Sequence, residues 1–171
     1  MKVSSESSDS IALAALDRIM LTWRPELTGT LLFLVDGDQV LLIDKKTGHG
    51  AGKINAPGGK LEPGETPAAC AVRETFEEIG IQVANPRLMA RLKFADTVAA
   101  QWYGYVFVAD EYSGTAAESA EADPHWYRLD EIPYDRMWQD DRIWLPLVLA
   151  GRQVQGEFLF EDGELRAHRI A

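Results

Sequence analysis

Two nearly continuous apolar runs, Thr28 to Val35 and Gln39 to Asp44, flank Asp36-Gly37-Asp38. That layout predicts a β-hairpin whose strands are buried on both faces. Upstream, Ile11 to Trp23 reads as a short amphipathic segment able to dock on a domain, after a polar lead, MKVSSESSDS, that reads as disordered. Lys45 to Gly52 is a Gly-rich basic loop, and Lys53 to Pro57 a short strand. The runs IQVANPRLMARLKF and QWYGYVFVAD are rich in β-branched and aromatic residues and predict at least two more strands. EYSGTAAESAEAD reads as a polar loop, HWYRLDEI as a strand, and Pro133 to Gln139 as a turn. Asp140 is placed to cap a helix from about Asp141 to Ala150, with Ile143, Trp144, Leu147 and Val148 on one face. A second hairpin follows about Asp162-Gly163, with Phe158 and Phe160 sharing a face. No repeat or internal linker interrupts this order. We expect an extension over residues 1–27 and one α/β domain over residues 28–171, with a mixed sheet flanked by helices.

One helix breaks the expected pattern. After the glycine pair Gly58-Gly59 and a Pro-Gly turn, Thr66 is a fitting N-cap, Pro67 a fitting first residue and Gly80 a fitting stop. Ala68, Val72, Thr75, Phe76 and Ile79 recur at core spacing, while Glu74, Glu77 and Glu78 fall within an arc of about 100°. Like charges at these spacings repel by about 0.3 kcal/mol per pair, at the helix end that disfavours anions. A divalent cation resolves the conflict, because carboxylates on one rigid face suit Mg²⁺. On helical spacing alone, a solvated acidic face is the simpler reading.

The full spacing favours the metal. Gly59, Glu65, Arg73-Glu74, Glu77-Glu78 and Gly80-Ile81 resemble the Nudix box in its fixed positions; only Thr75 departs, where an aliphatic residue is usual. The resemblance implies an α/β/α sandwich and Mg²⁺-dependent (or Mn²⁺-dependent) hydrolysis of a nucleoside diphosphate linkage. It implies metal ligation by Glu74, Glu77, Glu78 and the carbonyl of Gly59. Glu65 and Arg73 read as an ion pair that aims these carboxylates. Glu78 is the favoured ligand and Glu74 a ligand or base; the spacing leaves open which carboxylate takes the proton from water.

Charge refines this picture. At net −10 the chain is a poor partner for a nucleic-acid polymer, whose binding rests on Lys/Arg counterion release. A polyphosphate site in such a protein needs local cations, and Lys45 and Lys60 are the candidates. No apolar run approaches the roughly 20 residues of a membrane span. Cys70 has no second cysteine to pair with, in keeping with a cytoplasmic setting. It reads as a small packing residue.

The box gives a reaction class, and substrate must be read elsewhere. Trp138, Asp140 and Asp141 supply an aromatic face and two adjacent acids, which is either a helix cap beside a core aromatic or the wall of a purine pocket. Two neighbouring acids in a closed site disfavour double ionisation, so one can keep a proton and donate. From about Thr30 onward the chain further resembles the Nudix branch that hydrolyses oxidised purine nucleoside triphosphates. The shared elements include Lys45-Lys46, Gly50-Ala51-Gly52, Asn55, Glu118-Ser119, Glu121, Trp126 and Met137-Trp138-x-Asp140-Asp141. That resemblance implies hydrogen bonds from Asn55, Asp140 and Asp141 to the base, stacking by Trp138, and Glu121 beside the metal. It implies conversion of 8-oxo-dGTP or a related oxidised purine nucleotide to monophosphate and pyrophosphate. The alternatives are another nucleotide (an ADP-sugar, a dinucleoside polyphosphate or an ordinary dNTP) or a sensor that binds without cleaving. Against that branch, His49 replaces an aromatic residue, Ala56-Pro57 replaces a Gly-aromatic pair, and Trp102-Tyr103 add bulk.

Overall fold

The structure, a computed structural model, describes residues 3–171, with side chains from Ser7 onward. Strands β1 (Leu27–Asp36) and β2 (Gln39–Lys45) pair antiparallel, Leu34 opposite Leu41 and Asp36 opposite Gln39, so the first predicted hairpin forms. Alternate residues point to opposite faces. Phe33, Val40 and Leu42 enter one core cluster; Leu32, Leu34, Leu41 and Ile43 enter another. Burial on both faces accounts for the unbroken apolar runs.

The chain continues through β3 (Ile54–Asn55), β4 (Gly58–Lys60), α2 (Pro67–Ile79), β5 (Gln82–Ala84), β6 (Arg87–Asp96), β7 (Trp102–Ala109), β8 (Glu111–Ser113) and β9 (Ala122–Arg128). A 3₁₀ turn (Tyr134–Arg136), α3 (Asp141–Leu149), β10 (Val154–Glu161) and β11 (Glu164–Ile170) complete it, with α1 (Val3–Thr22) at the start. The main sheet runs β11-β10-β6-β7-β1-β2-β3, with β4 also on β1 and β9 also on β2. The β1–β7 and β10–β6 pairs are parallel and the rest antiparallel, which makes the sheet mixed. Helix α2 covers the Leu32 face, and α3 covers the Phe33 face through Trp144, Leu145 and Val148. Helices on both faces give the expected α/β architecture.

Four local expectations are corrected. Helix α1 begins at Val3, not near Ile11, so the polar lead is helical from that residue on. The polar loop after β7 contains β8, which pairs with β5 as a small second sheet. On α2 the buried residues are Cys70, Ala71, Thr75, Glu78 and Ile79, whereas Phe76 is 53% exposed. The helix is turned so that one edge of its glutamate stripe faces inward. Finally, Asp140 precedes α3 in a helical conformation (φ −73°, ψ −25°) and makes no side-chain cap; its Oδ2 accepts the Trp144 Nε1–H at 2.7 Å.

Helix α1 joins the sheet through a third cluster, where Leu16 is fully buried with Trp23, Ala95, Leu159 and Ala167. Arg169 of β11 pairs with Asp17 beside it. A Leu→Ala change in a closed core costs about 2–5 kcal/mol. Leu16→Ala is expected near the low end, about 2 kcal/mol, because a surface helix can lift away rather than keep a cavity. Urea denaturation checks this; an unchanged unfolding free energy would show that α1 is not part of the cooperative unit.

Candidate active site

The acidic end of the site is built by α2 and β4 together. Thr66 Oγ1 accepts the Ala69 N–H at 3.2 Å and Gly80 closes the helix in the left-handed region (φ 76°), so both predicted caps form. Close neighbours account for the glycine pair: backbone at Gly58 and the Glu74 side chain at Gly59. A Cβ on Gly58 would overlap the Thr30 carbonyl oxygen, and one on Gly59 would lie 2.5 Å from Glu74 Oε1. Without those Cβ atoms the strand comes close enough for the Gly58 N–H to donate to Glu78 Oε1 at 3.2 Å.

Arg73 organises the acids around it. Its Nε and Nη2 donate to Glu65 at 2.7 and 2.9 Å, and Nη1 donates to Glu74 at 2.9 Å and Glu77 at 3.1 Å. The Arg73 guanidinium holds the Glu65 carboxyl down at about 2. Glu65 therefore stays ionised and keeps Arg73 oriented. Burial acts oppositely on the others: it raises Glu74, and it pushes Glu78 up to about 7 against the pull of the Gly58 N–H. Cys70 is fully buried, and burial lifts its thiol to about 11, which fits packing and not nucleophilic chemistry.

A cavity of about 660 Å³ runs from these acids to the start of α3. Gly59, Glu74, Glu78, Glu121, Lys45, Lys60, Asn55, Trp138, Asp140 and Asp141 all line it. Glu77 does not; it is half-exposed and faces Arg73. Glu65 and Arg73 also lie outside the lining, as supports. Glutamate and carbonyl oxygens suit a hard divalent cation, and the raised Glu74 and Glu78 carboxyls mark charge that a cation would relieve. Among the described residues, no three of the four glutamates bring ligand atoms within 4.8 Å of one another; Asp44, Asp123 and His125 do so, on the β2–β9 pair. That second group already has Asp44 engaged by Arg136 at 2.6 Å.

At the other end the two aspartates are buried, 3% and 2% exposed. Asp141 Oδ2 accepts the Trp138 N–H at 3.2 Å. Burial raises both carboxyls, Asp140 to about 6, and Asp140 drives Asp141 further up. Burial and mutual repulsion disfavour two ionised carboxylates here, and a carboxyl that keeps its proton can donate as well as accept. Lys60, expected at a phosphate, has its Nζ 5.9 Å from the Trp102 ring centroid. Residues not assigned from sequence also shape this end. His49 stacks with Trp102 and Trp138, and Lys53 Nζ sits 4.9 Å from the Trp138 centroid. The Gly-rich basic loop and the extra bulk at Trp102 were the available signals.

A NUDIX domain model matches residues 25–148, and the chain belongs to the Nudix family. It is 41% identical over 137 residues to the oxidized purine nucleoside triphosphate hydrolase of Danio rerio, covering 80% of this chain and 88% of that protein. It is 38% identical over 134 residues to the Mus musculus protein of the same name, covering 78% and 86%. Among solved structures, the MutT protein of Bacillus halodurans superposes with a TM-score of 0.75 at 32% identity, over 84% of this chain and 97% of that one.

Proposed function

We propose that this chain is a divalent-cation-dependent pyrophosphohydrolase acting on an oxidised purine nucleoside triphosphate such as 8-oxo-dGTP, releasing the monophosphate and pyrophosphate. The observation that carries this reading is one cavity with an acidic end under α2 and two adjacent, buried aspartates at the start of α3. The activity named for the Danio rerio and Mus musculus relatives supports the choice of substrate. In this reading residues 28–171 make the hydrolase domain, and the 1–27 extension braces the sheet with none of its described residues in the cavity wall. No described helix is long and apolar enough to cross a membrane. We place the protein in the cytoplasm on the ground that its one cysteine, Cys70, is a free buried thiol.

Glu74, Glu78, Glu121 and the Gly59 carbonyl, all in the cavity wall, are the oxygen donors for the cation, with Glu77 joining only if it turns into the cavity. Mg²⁺ or Mn²⁺ bound there supplies charge neutralisation at the phosphates and a more acidic water. The chain's own residues do the remaining work. Lys45, whose charge favours ionised Glu78, sits in the cavity wall to meet phosphate oxygens. Trp138 offers a stacking face. Asn55, Asp140 and Asp141 supply the polar contacts to the base edge; a site built on such buried groups discriminates strongly, because a base that leaves one unpaired is penalised.

A nucleotide panel with product identification tests the proposal. The expected result is cation-dependent release of pyrophosphate, with kcat/KM for 8-oxo-dGTP at least tenfold above dGTP. Equal kcat/KM for the two would remove the oxidised-purine reading and leave a Nudix hydrolase for another nucleotide. Orthophosphate as the only inorganic product would remove the mechanism.

A further inference from the structure

The base end of the cavity already contains a ring. The His49 imidazole lies between two indoles, 5.2 Å from the Trp102 centroid at 26° and 5.0 Å from the Trp138 centroid at 18°. These are near-parallel, offset stacks on both sides. Among the described residues no hydrogen bond holds the imidazole, so stacking alone keeps it there. Burial first, then Lys45 and Lys60, lower its pKa, which favours the neutral ring. The face of Trp138 that looks across to Trp102 is thus covered by a planar, uncharged heterocycle smaller than a purine.

The backbone around His49 is built to turn. Gly48 and Gly50 flank it in the left-handed region (φ 74° and 82°). The loop is held by Gly52 N–H to the Lys45 carbonyl at 2.8 Å, and by Ala51 N–H and Lys53 N–H to the Gly48 and Gly50 carbonyls at 3.2 and 3.0 Å. Rotation about the His49 side-chain bonds can move the ring while all three of these bonds stay in place.

We propose that His49 is a displaceable occupant of the base slot: in the free protein its ring fills the gap between Trp102 and Trp138, and an entering purine expels it. The proposal rests on the assignment of Trp138 to the base. Expelling the ring weakens every base by the same factor, so weakly stacking rings such as pyrimidines leave the working range first. A purine offers a larger ring face than an imidazole for stacking on an indole, so an entering purine can take the imidazole's place.

The test uses 8-oxo-dGMP, which lacks the pyrophosphate bond, as a binding probe by titration calorimetry. His49→Ala in the full chain is expected to bind it about tenfold tighter than wild type, because the slot is already open. Weaker or equal binding overturns the proposal: weaker means His49 is a wall of the bound site, equal means it is not in the slot. Trp138→Ala separates this from the underlying reading. If Trp138→Ala leaves affinity unchanged, the base-site assignment itself falls; if it weakens binding while His49→Ala brings no gain, only the displacement does. Proton NMR of the wild-type protein gives a second measure, free of any folding defect in a variant. The His49 ring resonances are expected upfield in the free protein, from the two indole ring currents, and downfield at saturation with 8-oxo-dGMP. Resonances that stay upfield at saturation overturn the proposal.

Discussion

Glu78→Gln is expected to lower kcat by about 10²–10⁴-fold while the protein stays folded. Glu78 is 3% exposed and accepts the Gly58 N–H, a bond that the glutamine carbonyl can keep. The change therefore removes a charge without opening a cavity, and the rate loss cannot be assigned to unfolding. Two further readouts separate a metal-site role from a packing role. Added Mg²⁺ is expected to raise the Tm of wild type, because a ligand bound only to the native state stabilises it, and this rise should largely vanish in Glu78→Gln. Without metal the pH dependence of stability also differs. Burial raises the Glu78 carboxyl from its ordinary 4.5 to about 7, so the native state binds this proton more tightly than the unfolded chain. Stability from this group is then full below about 4.5, declines as pH rises and is lost above about 7, a slope that Glu78→Gln lacks. A variant retaining activity within tenfold of wild type would take Glu78 out of the reaction, as would an unaltered Mg²⁺ effect on Tm.

Much of this arrangement was legible because local chemistry dictates it. The caps of α2, the β1–β2 and β10–β11 hairpins and the two-sided burial of β1 follow from residues a few positions apart. What was not legible depends on the third dimension. A run of glutamates at helical spacing reads as a solvent face; Glu78 is buried because Gly58, twenty residues earlier, lets β4 come close and offers an N–H. Asp140 before an apolar helix reads as a cap, but the Trp144 indole one turn later offers a buried donor that claims the carboxylate. Helix α1 extends back to Val3 through serines and acids with no apolar rhythm, beyond the part that packs through Leu16. Strand β8 is three residues on a small sheet, too short to show a period. The His49–Trp102 stack joins residues 53 positions apart in a loop and a strand, where no pattern in either segment announces the other.

Asp141→Asn is expected to abolish the preference for an oxidised purine while making the protein more stable at and above neutral pH. Both effects have one cause. Burial and the neighbouring Asp140 push the Asp141 carboxyl well above its ordinary range, and burial puts Asp140 at about 6. With folded-state pKa values raised, the native pair holds protons that the unfolded chain has released. Its contribution is therefore full below about 3.8 and is lost as pH rises through the folded values. An amide needs no proton and carries no charge to desolvate, so it removes this loss; its carbonyl can still accept the Trp138 N–H that Asp141 Oδ2 takes at 3.2 Å. The amide cannot, however, switch between accepting and donating at the same atom as a carboxyl can. A mismatched contact to the base is expected to cost about 1.5–3 kcal/mol, or roughly 10- to 100-fold in kcat/KM for 8-oxo-dGTP, with little change in cation dependence. Asp140→Asn should act the same way more mildly on substrate, because Trp144 Nε1 occupies one of its oxygens at 2.7 Å. Denaturation at pH 5 and pH 8, paired with the 8-oxo-dGTP to dGTP ratio, reads both effects in the same variants. A gain in stability with an unchanged substrate ratio would make the pair a structural start to α3 and move base recognition elsewhere. Loss of stability at pH 8 would mean that the ionised pair is satisfied in the fold, and that a shared proton is not what reads the purine.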